Sequence, residues 1–330
     1  MPDGLAALLF AGSLVLSALA SLVLAKRLDQ AGTYLGASAG LTGLLTALAA
    51  DTPEIASAIF ALATGRHDLG LGVIFGSNIF NIAALLGVGV LAAGPISCPR
   101  RTLALSAGAT LAVTAIVAAQ RMYGLSAAAT GALLAAVMVP YVAVVALKPS
   151  HLARLRLPRA VADALGPAHP ETAVKTQATA APPPWADMTA IVPLLAAIVV
   201  TSLGLVSAAS TLGGRWGWSD LTVGALVIAS LTGLPNLVTA LRLASQGRGA
   251  AVVSETYDSN SLNLIFGAFL PTIFLPPAVL SQAGMMALWW MAGTTVLSAG
   301  LILRAGRLGR LGGVALVASW VGFAAIVVIR

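Results

Sequence analysis

Charge is what this sequence has least of. Asp, Glu, Lys and Arg make up 9% of its 330 residues, against about 25% in an ordinary soluble domain. Hydrophobic residues make up 58%. Such a chain cannot cover a water-facing surface, which excludes the two soluble domains its length would otherwise suggest. The single cysteine, Cys98, excludes an internal disulfide. The three histidines, His67, His151 and His169, fall in expected loops. With so little sulfur and imidazole, nothing resembles a soft-metal site or a nucleophile–histidine pair. The net charge of +7 is weak evidence for nucleic-acid binding, because the placement of the basic residues matters more than their sum.

What the sequence does have is long apolar runs. A bilayer-spanning helix needs roughly 20 mostly apolar residues. On that rule ten spans are expected, near 4–25, 33–64, 69–94, 102–119, 123–147, 187–210, 219–246, 250–275, 284–303 and 311–329. The first run is followed, not preceded, by its basic pair Lys26 and Arg27, so it reads as a retained helix and not a cleavable signal peptide. The one long polar segment, 148–186, is rich in proline and basic residues and reads as a linker. A short amphipathic helix at His151–Leu165 is a secondary reading. With the N-terminus outside, 14 of the 18 basic residues fall on inside loops, leaving Arg66, Arg121, Arg215 and Arg330 outside. The positive-inside rule thus favours outside termini, a cytoplasmic linker and a multi-pass cell-membrane protein. Lipid is the one partner expected besides small cations.

Two segments repeat each other. Asp51-Thr52-Pro53-Glu54 and Gly76-Ser77-Asn78-Ile79-Phe80-Asn81 recur as Gly233-Leu234-Pro235-Asn236 and Asp258-Ser259-Asn260-Ser261-Leu262-Asn263. Both pieces share one offset of 182 residues, which marks a duplication. Five spans per copy would place the copies in opposite orientations, an architecture of transporters with interrupted helices and a midplane site. The expected organisation is therefore all-α, with residues 1–147 as the first repeat, 148–186 as the linker and 187–330 as the second repeat. Pro53 and Pro235 each lack an N–H and are expected to interrupt their helices, with Thr52 capping the segment that starts at Pro53.

Of the 11 acidic residues, Asp51, Glu54, Glu255 and Asp258 fall in or beside these motifs, without a Lys, Arg or His among them. A charged side chain at a helix centre costs about 2.5–3.5 kcal/mol on insertion scales. With no basic partner at hand, a bound cation is the simplest source of compensation. The accompanying amides and hydroxyls are hard oxygen ligands suited to Ca²⁺, Na⁺ or Mg²⁺. The candidate set is Asp51, Glu54, Ser77, Asn78, Asn81, Asn236, Glu255, Asp258, Ser259, Asn260 and Asn263. On one regular helix Glu255, Asp258, Ser259, Asn260 and Asn263 would spread over about 200°, too wide for one face. Either that helix is distorted or some of the five do not touch the ion.

These motifs resemble those of the sodium/calcium exchanger superfamily, the cation/calcium antiporters, in the manner of a bacterial-type member. Pro53-Glu54 and Gly76 to Asn81 carry the resemblance. It implies a ten-helix antiporter that exchanges Ca²⁺ for Na⁺ or H⁺ by alternating access, with no cofactor beyond the transported cations. The second copy departs from the pattern. Asn236 stands where the family has a glutamate, Asp258 where it has a glycine, Glu255 where it has an asparagine, and Asp51 replaces the serine of the first element. Proton-coupled transport of another cation and a non-transporting cation sensor are the alternatives. An intramembrane hydrolase using Asp51 and Asp258 is a further reading, but it lacks a nucleophile with an activating histidine.

Overall fold

The computed structural model describes residues 1–146, 189–276 and 280–329. The expected linker 148–186, with its amphipathic helix, lies outside the described residues. Among the described residues the regular structure is helical, apart from an antiparallel ribbon of two residues per strand. The first half forms α1 (Asp3–Tyr34), α2 (Ala39–Ala63), α3 (His67–Asn81), a π-helical stretch Ile82–Val88, α4 (Gly89–Ala93), α5 (Arg100–Tyr123) and α6 (Ala127–Ala146). The second half forms α7 (Ile191–Arg215), α8 (Asp220–Thr222), a π stretch Val223–Ile228, α9 (Ala229–Thr232) and α10 (Leu234–Ser245). It continues with α11 (Gly249–Leu262), a π stretch Asn263–Phe269, a 3₁₀ turn Leu270–Ile273, α12 (Gln282–Ala305) and α13 (Arg310–Ile329).

Among the described residues eight helices are long and apolar enough to cross a bilayer, or nine if the pair 220–232 and 234–245 is one bent span. The expectation was ten. The segment that separates the two counts is Gly249–Ile273, whose polar run from Ser254 to Asn263 makes it too hydrophilic to qualify by apolarity. Apart from the partly exposed Glu255, the polar side chains of that run are buried in protein, which is where polar residues are tolerated in a membrane protein.

The proline expectation divides between the two copies. In the second, Gly233 and Pro235 together end α9 and start α10 with a 46° bend. In the first, α2 runs unbroken through Pro53, and Thr52 does not cap a new segment. Its hydroxyl instead donates to the Leu48 carbonyl at 2.8 Å. One proline in a long, well-packed helix is absorbed locally, whereas a glycine two residues ahead of the proline gives the chain a hinge. Of the two alternatives for the second motif, the helix stays regular from Glu255 to Leu262 and is distorted only from Asn263 on. The helix turns π at Asn263, and the first copy does the same one residue after Asn81. Such π segments re-aim side chains and are frequent at functional sites.

The centre of the molecule is α3 with its π continuation, 94% buried, while the windows of α1, α6 and α7 are 28% buried. Small residues let α3 approach the second half backbone to backbone. A Cβ on Gly76 would meet the Ala225 Cα at 2.4 Å, and one on Gly224 would meet the Leu69 carbonyl oxygen at 2.3 Å. With no hydrophobic drive between helices in lipid, close approach of this kind supplies the van der Waals energy of association. At one end of the helices, Ile96 pairs with Leu308 and Ser97 with Arg307. The adjacent Cys98 is buried, and burial pushes its thiol up to about 12.

Two outcomes follow. Gly76→Val forces a branched side chain into the Ala225 backbone and is expected to cost about 1–3 kcal/mol or more, read as a lower melting temperature of the detergent-solubilised protein. Cys98 carries almost no thiolate at neutral pH, so maleimide labelling at pH 7 to 8 should be slow in the folded protein and fast after denaturation in SDS.

Candidate functional site

Four helical segments bring the repeated motifs together. Asp51, Glu54 and Ser57 occupy successive positions on one side of α2, spaced three residues apart so that they stack along the helix. α3 supplies Ser77, Asn78 and Asn81, α10 supplies Asn236, and α11 with its π extension supplies Glu255, Asp258, Ser259, Asn260 and Asn263. Asp51 is 0% and Glu54 1% exposed. All the other candidates are buried as well, except Glu255, which is partly exposed although its Oε2 atom is buried.

Asparagines join the two copies. The Asn78 side-chain amide donates to the Asn260 backbone carbonyl at 3.0 Å, and the Asn260 amide donates to the Asn78 carbonyl at 3.1 Å. These residues are 182 apart, the repeat offset. A second pair follows the same exchange. Asn81 donates to the Asn260 side-chain oxygen at 3.1 Å, and Asn263 donates to the Asn78 side-chain oxygen at 3.3 Å. Four amides thus form a reciprocal clasp, each bond answered by its counterpart with the copies interchanged.

The acids lie beside this clasp. The Asn236 amide donates to Asp51 Oδ1 at 2.8 Å. Asp51 and Glu54 stand one turn apart on α2, and Glu255 and Asp258 one turn apart on α11. Arg248 exerts an attractive field on Glu255 from the start of α11. The ion pairs Arg66–Asp220 and Arg215–Asp3 use other acids. Asp51 Oδ2, Glu54 Oε2, Ser57 Oγ, Ser77 Oγ, Glu255 Oε2 and Asn263 Oδ1 are buried without a hydrogen-bond partner. Leaving one buried polar atom unsatisfied costs about 1–3 kcal/mol, more for a charged one, so six around one locus need a common reason. Among the described residues no three carboxylate, imidazole or thiol groups stand close enough to hold a metal by themselves. A cation there would therefore draw on amide, hydroxyl and carbonyl oxygens as well, a hard donor set.

The structure adds residues that the motifs did not name. The Tyr141 hydroxyl of α6 donates to Asp258 and lies 3.3 Å from the Ser106 hydroxyl of α5, which in turn donates to Ser254 at 3.4 Å. Thr110 bonds the Tyr257 carbonyl and the Ser261 hydroxyl, each at 2.8 Å. Ser57 shares the Glu54 face of α2. Its three-residue spacing from Glu54 was a legible signal. Tyr141 offered only the oddity of a hydroxyl next to Pro140 in an apolar span.

The fold and this site define a polytopic helical membrane protein with an acid- and amide-lined locus where the two halves of the chain meet. A family profile described as "Sodium/calcium exchanger protein" matches residues 5–147 and 188–329, and the chain belongs to that family. It is 26% identical over 280 residues to the "Putative antiporter CaxA" of Alkalimonas amylolytica, covering 82% of this chain and 81% of that protein. In fold it is similar to the H⁺/Ca²⁺ exchanger CAX, with TM-score 0.70, 11% identity, and coverage of 98% of this chain and 86% of that one. It is also similar to the sodium-calcium exchanger NCX_Mj, with TM-score 0.62, 20% identity and all of both chains covered. These relatives are antiporters and ion exchangers, not enzymes.

The clasp can be tested by itself. Asn78→Ala removes its bond to the Asn260 carbonyl and the acceptor for Asn263, and is expected to cost about 2–4 kcal/mol. A melting temperature in detergent below that of the unaltered protein by several degrees is the readout.

Proposed function

We propose that this chain is a secondary-active antiporter that exchanges Ca²⁺ for Na⁺ or H⁺ by alternating access. Its architecture in this reading is ten transmembrane helices in two inverted five-helix repeats, 1–147 and 187–330. A cytoplasmic linker, 148–186, joins them, and both termini are outside. The cations are substrates and no cofactor is required. The observation that carries the reading is the set of buried, unpartnered oxygens on Asp51, Glu54, Ser57 and Ser77 beside a clasp built from both copies. Ser259, Asn260, Asn263, Asn78, Asn81 and Asn236 complete the proposed donor set, with Glu255 and Asp258 extending it towards Tyr141.

The physics is consistent with exchange. Anionic oxygens without a cationic side chain repel one another, and in a low-dielectric interior that repulsion is large. A cation relieves it, and so does a proton, so one site can hold either in turn but is costly to leave empty. An element that must be charged-balanced before it can reorient couples the inward and outward movements of its substrates. Residues from both copies line the locus, so a rocking of one repeat against the other would expose it to one side and then to the other.

The test is ⁴⁵Ca²⁺ uptake by reconstituted proteoliposomes, driven in one series by an imposed Na⁺ gradient and in another by a pH gradient. Uptake is expected under at least one gradient, which identifies the coupling ion. Glu54→Gln is expected to lower it by about tenfold or more, equivalent to about 1.4 kcal/mol or more of lost stabilisation. No ⁴⁵Ca²⁺ flux under either gradient overturns the reading. Transport of another cation under the pH gradient alone would replace it with proton-coupled transport.

A further inference from the structure

The duplication calls for like residues at like positions, and the acids break that rule. A shift of 182 residues carries Glu54 onto Asn236, Asp51 onto Gly233, Glu255 onto Val73 and Asp258 onto Gly76. Every motif acid therefore has a neutral counterpart in the other copy. Packing explains two of the four. A Cβ on Gly233 would meet the Phe80 ring at 2.9 Å and the Ala229 carbonyl oxygen at 3.1 Å, and one on Gly76 would meet Ala225 backbone atoms at 2.4 and 2.5 Å. A side chain is excluded at 76 by backbone and crowded at 233 by the Phe80 ring, so a counterpart of Asp51 is disfavoured in the second copy.

Asn236 is a different case, because a carboxylate has the same shape as its amide. Yet the residue is an amide, and its N–H₂ donates to Asp51 Oδ1 at 2.8 Å with both residues buried. An aspartate there would put two anions in contact. The bond holds Oδ1 and leaves Asp51 Oδ2 without a partner, alongside the unpartnered Glu54 Oε2. The first repeat thus brings two carboxylates, three residues apart on α2, and the second brings the amide that orients one of them.

We propose that Asp51 and Asn236 act as one unit that carries a single negative charge. Asp51 supplies from the first repeat the anionic oxygen that the second lacks at position 236, and the pair sets the charge of the cation cage and with it the preference for a divalent over a monovalent ion. The proposal rests on the antiport reading above. It makes the charge of the pair decisive and its address secondary. Asp51→Asn removes the charge, and Asn236→Asp doubles it. The double variant D51N/N236D restores one charge, with the amide–carboxylate bond reversed and the shapes unchanged.

The experiment compares the unaltered protein with these three variants in proteoliposomes, measuring ⁴⁵Ca²⁺ and ²²Na⁺ uptake. The melting temperature in detergent is measured with and without added Ca²⁺. D51N and N236D are each expected to lower ⁴⁵Ca²⁺ uptake by about tenfold or more. D51N should lose ⁴⁵Ca²⁺ uptake to a greater extent than ²²Na⁺ uptake, and D51N/N236D should recover most of the loss. D51N uptake within about twofold of the unaltered protein overturns the proposal, as does a double variant that melts normally yet transports no better than D51N. If the unaltered protein moves neither ion, it is the antiport reading that fails. The Ca²⁺-induced melting shift across the four proteins then decides the charge proposal: D51N should lose the shift and D51N/N236D should keep it, and the reverse pattern overturns it.

Discussion

Carboxylates taken out of water without a cationic partner set the terms for everything around them. Asp51 and Glu54 sit at 0% and 1% exposure in the middle of α2, and neither is met by Lys, Arg or His among the ion pairs formed in the described residues. Burying such groups is among the most expensive arrangements a protein can hold. It persists only if other features are built to tolerate it. The asparagine clasp, the close backbone contact at Gly76 and Gly224, and the π segments that follow the motifs all fix polar atoms where a cation would meet them. Hydrophobic packing elsewhere serves mainly to hold these parts in register.

The clasp also gives a physical reason why the two motifs match at their asparagines. Asn78 and Asn260 answer each other, so a change at either removes the side-chain bond to the other's backbone carbonyl. The acids have no such mutual constraint, and they have drifted to one side or the other. Crowding at Gly233 and Gly76 accounts for the side taken by Asp51 and Asp258. Symmetry is therefore strictest at the groups that join the halves, and weakest at the groups that set the charge.

Much of this was legible from residue order. The equal spacing of Pro53 to Pro235 and Asn78 to Asn260 disclosed the duplication, and the absence of basic residues near four acids pointed to a cation. Family membership followed from the same motifs and is established by the profile that matches both halves. The span count was less legible, because Gly249–Ile273 is a helix whose polarity conceals it from an apolarity rule. The unbroken course of α2 through Pro53 was not legible either. A proline announces a missing hydrogen bond, but whether the helix bends depends on what packs around it. Tyr141 was invisible as a site residue, since nothing local distinguishes it from an interfacial tyrosine.

Sequence by itself determined the solvent this protein lives in, the recurrence of its motifs at one offset, and the oxygen-rich chemistry of the side chains in them. Those follow from composition and spacing, which are properties of the chain. Which amide meets which carbonyl, and why a side chain is crowded out at 233 and 76, were decided in three dimensions. They depend on contacts between residues nearly two hundred positions apart, and on a few tenths of an ångström around glycines, neither of which any local pattern encodes.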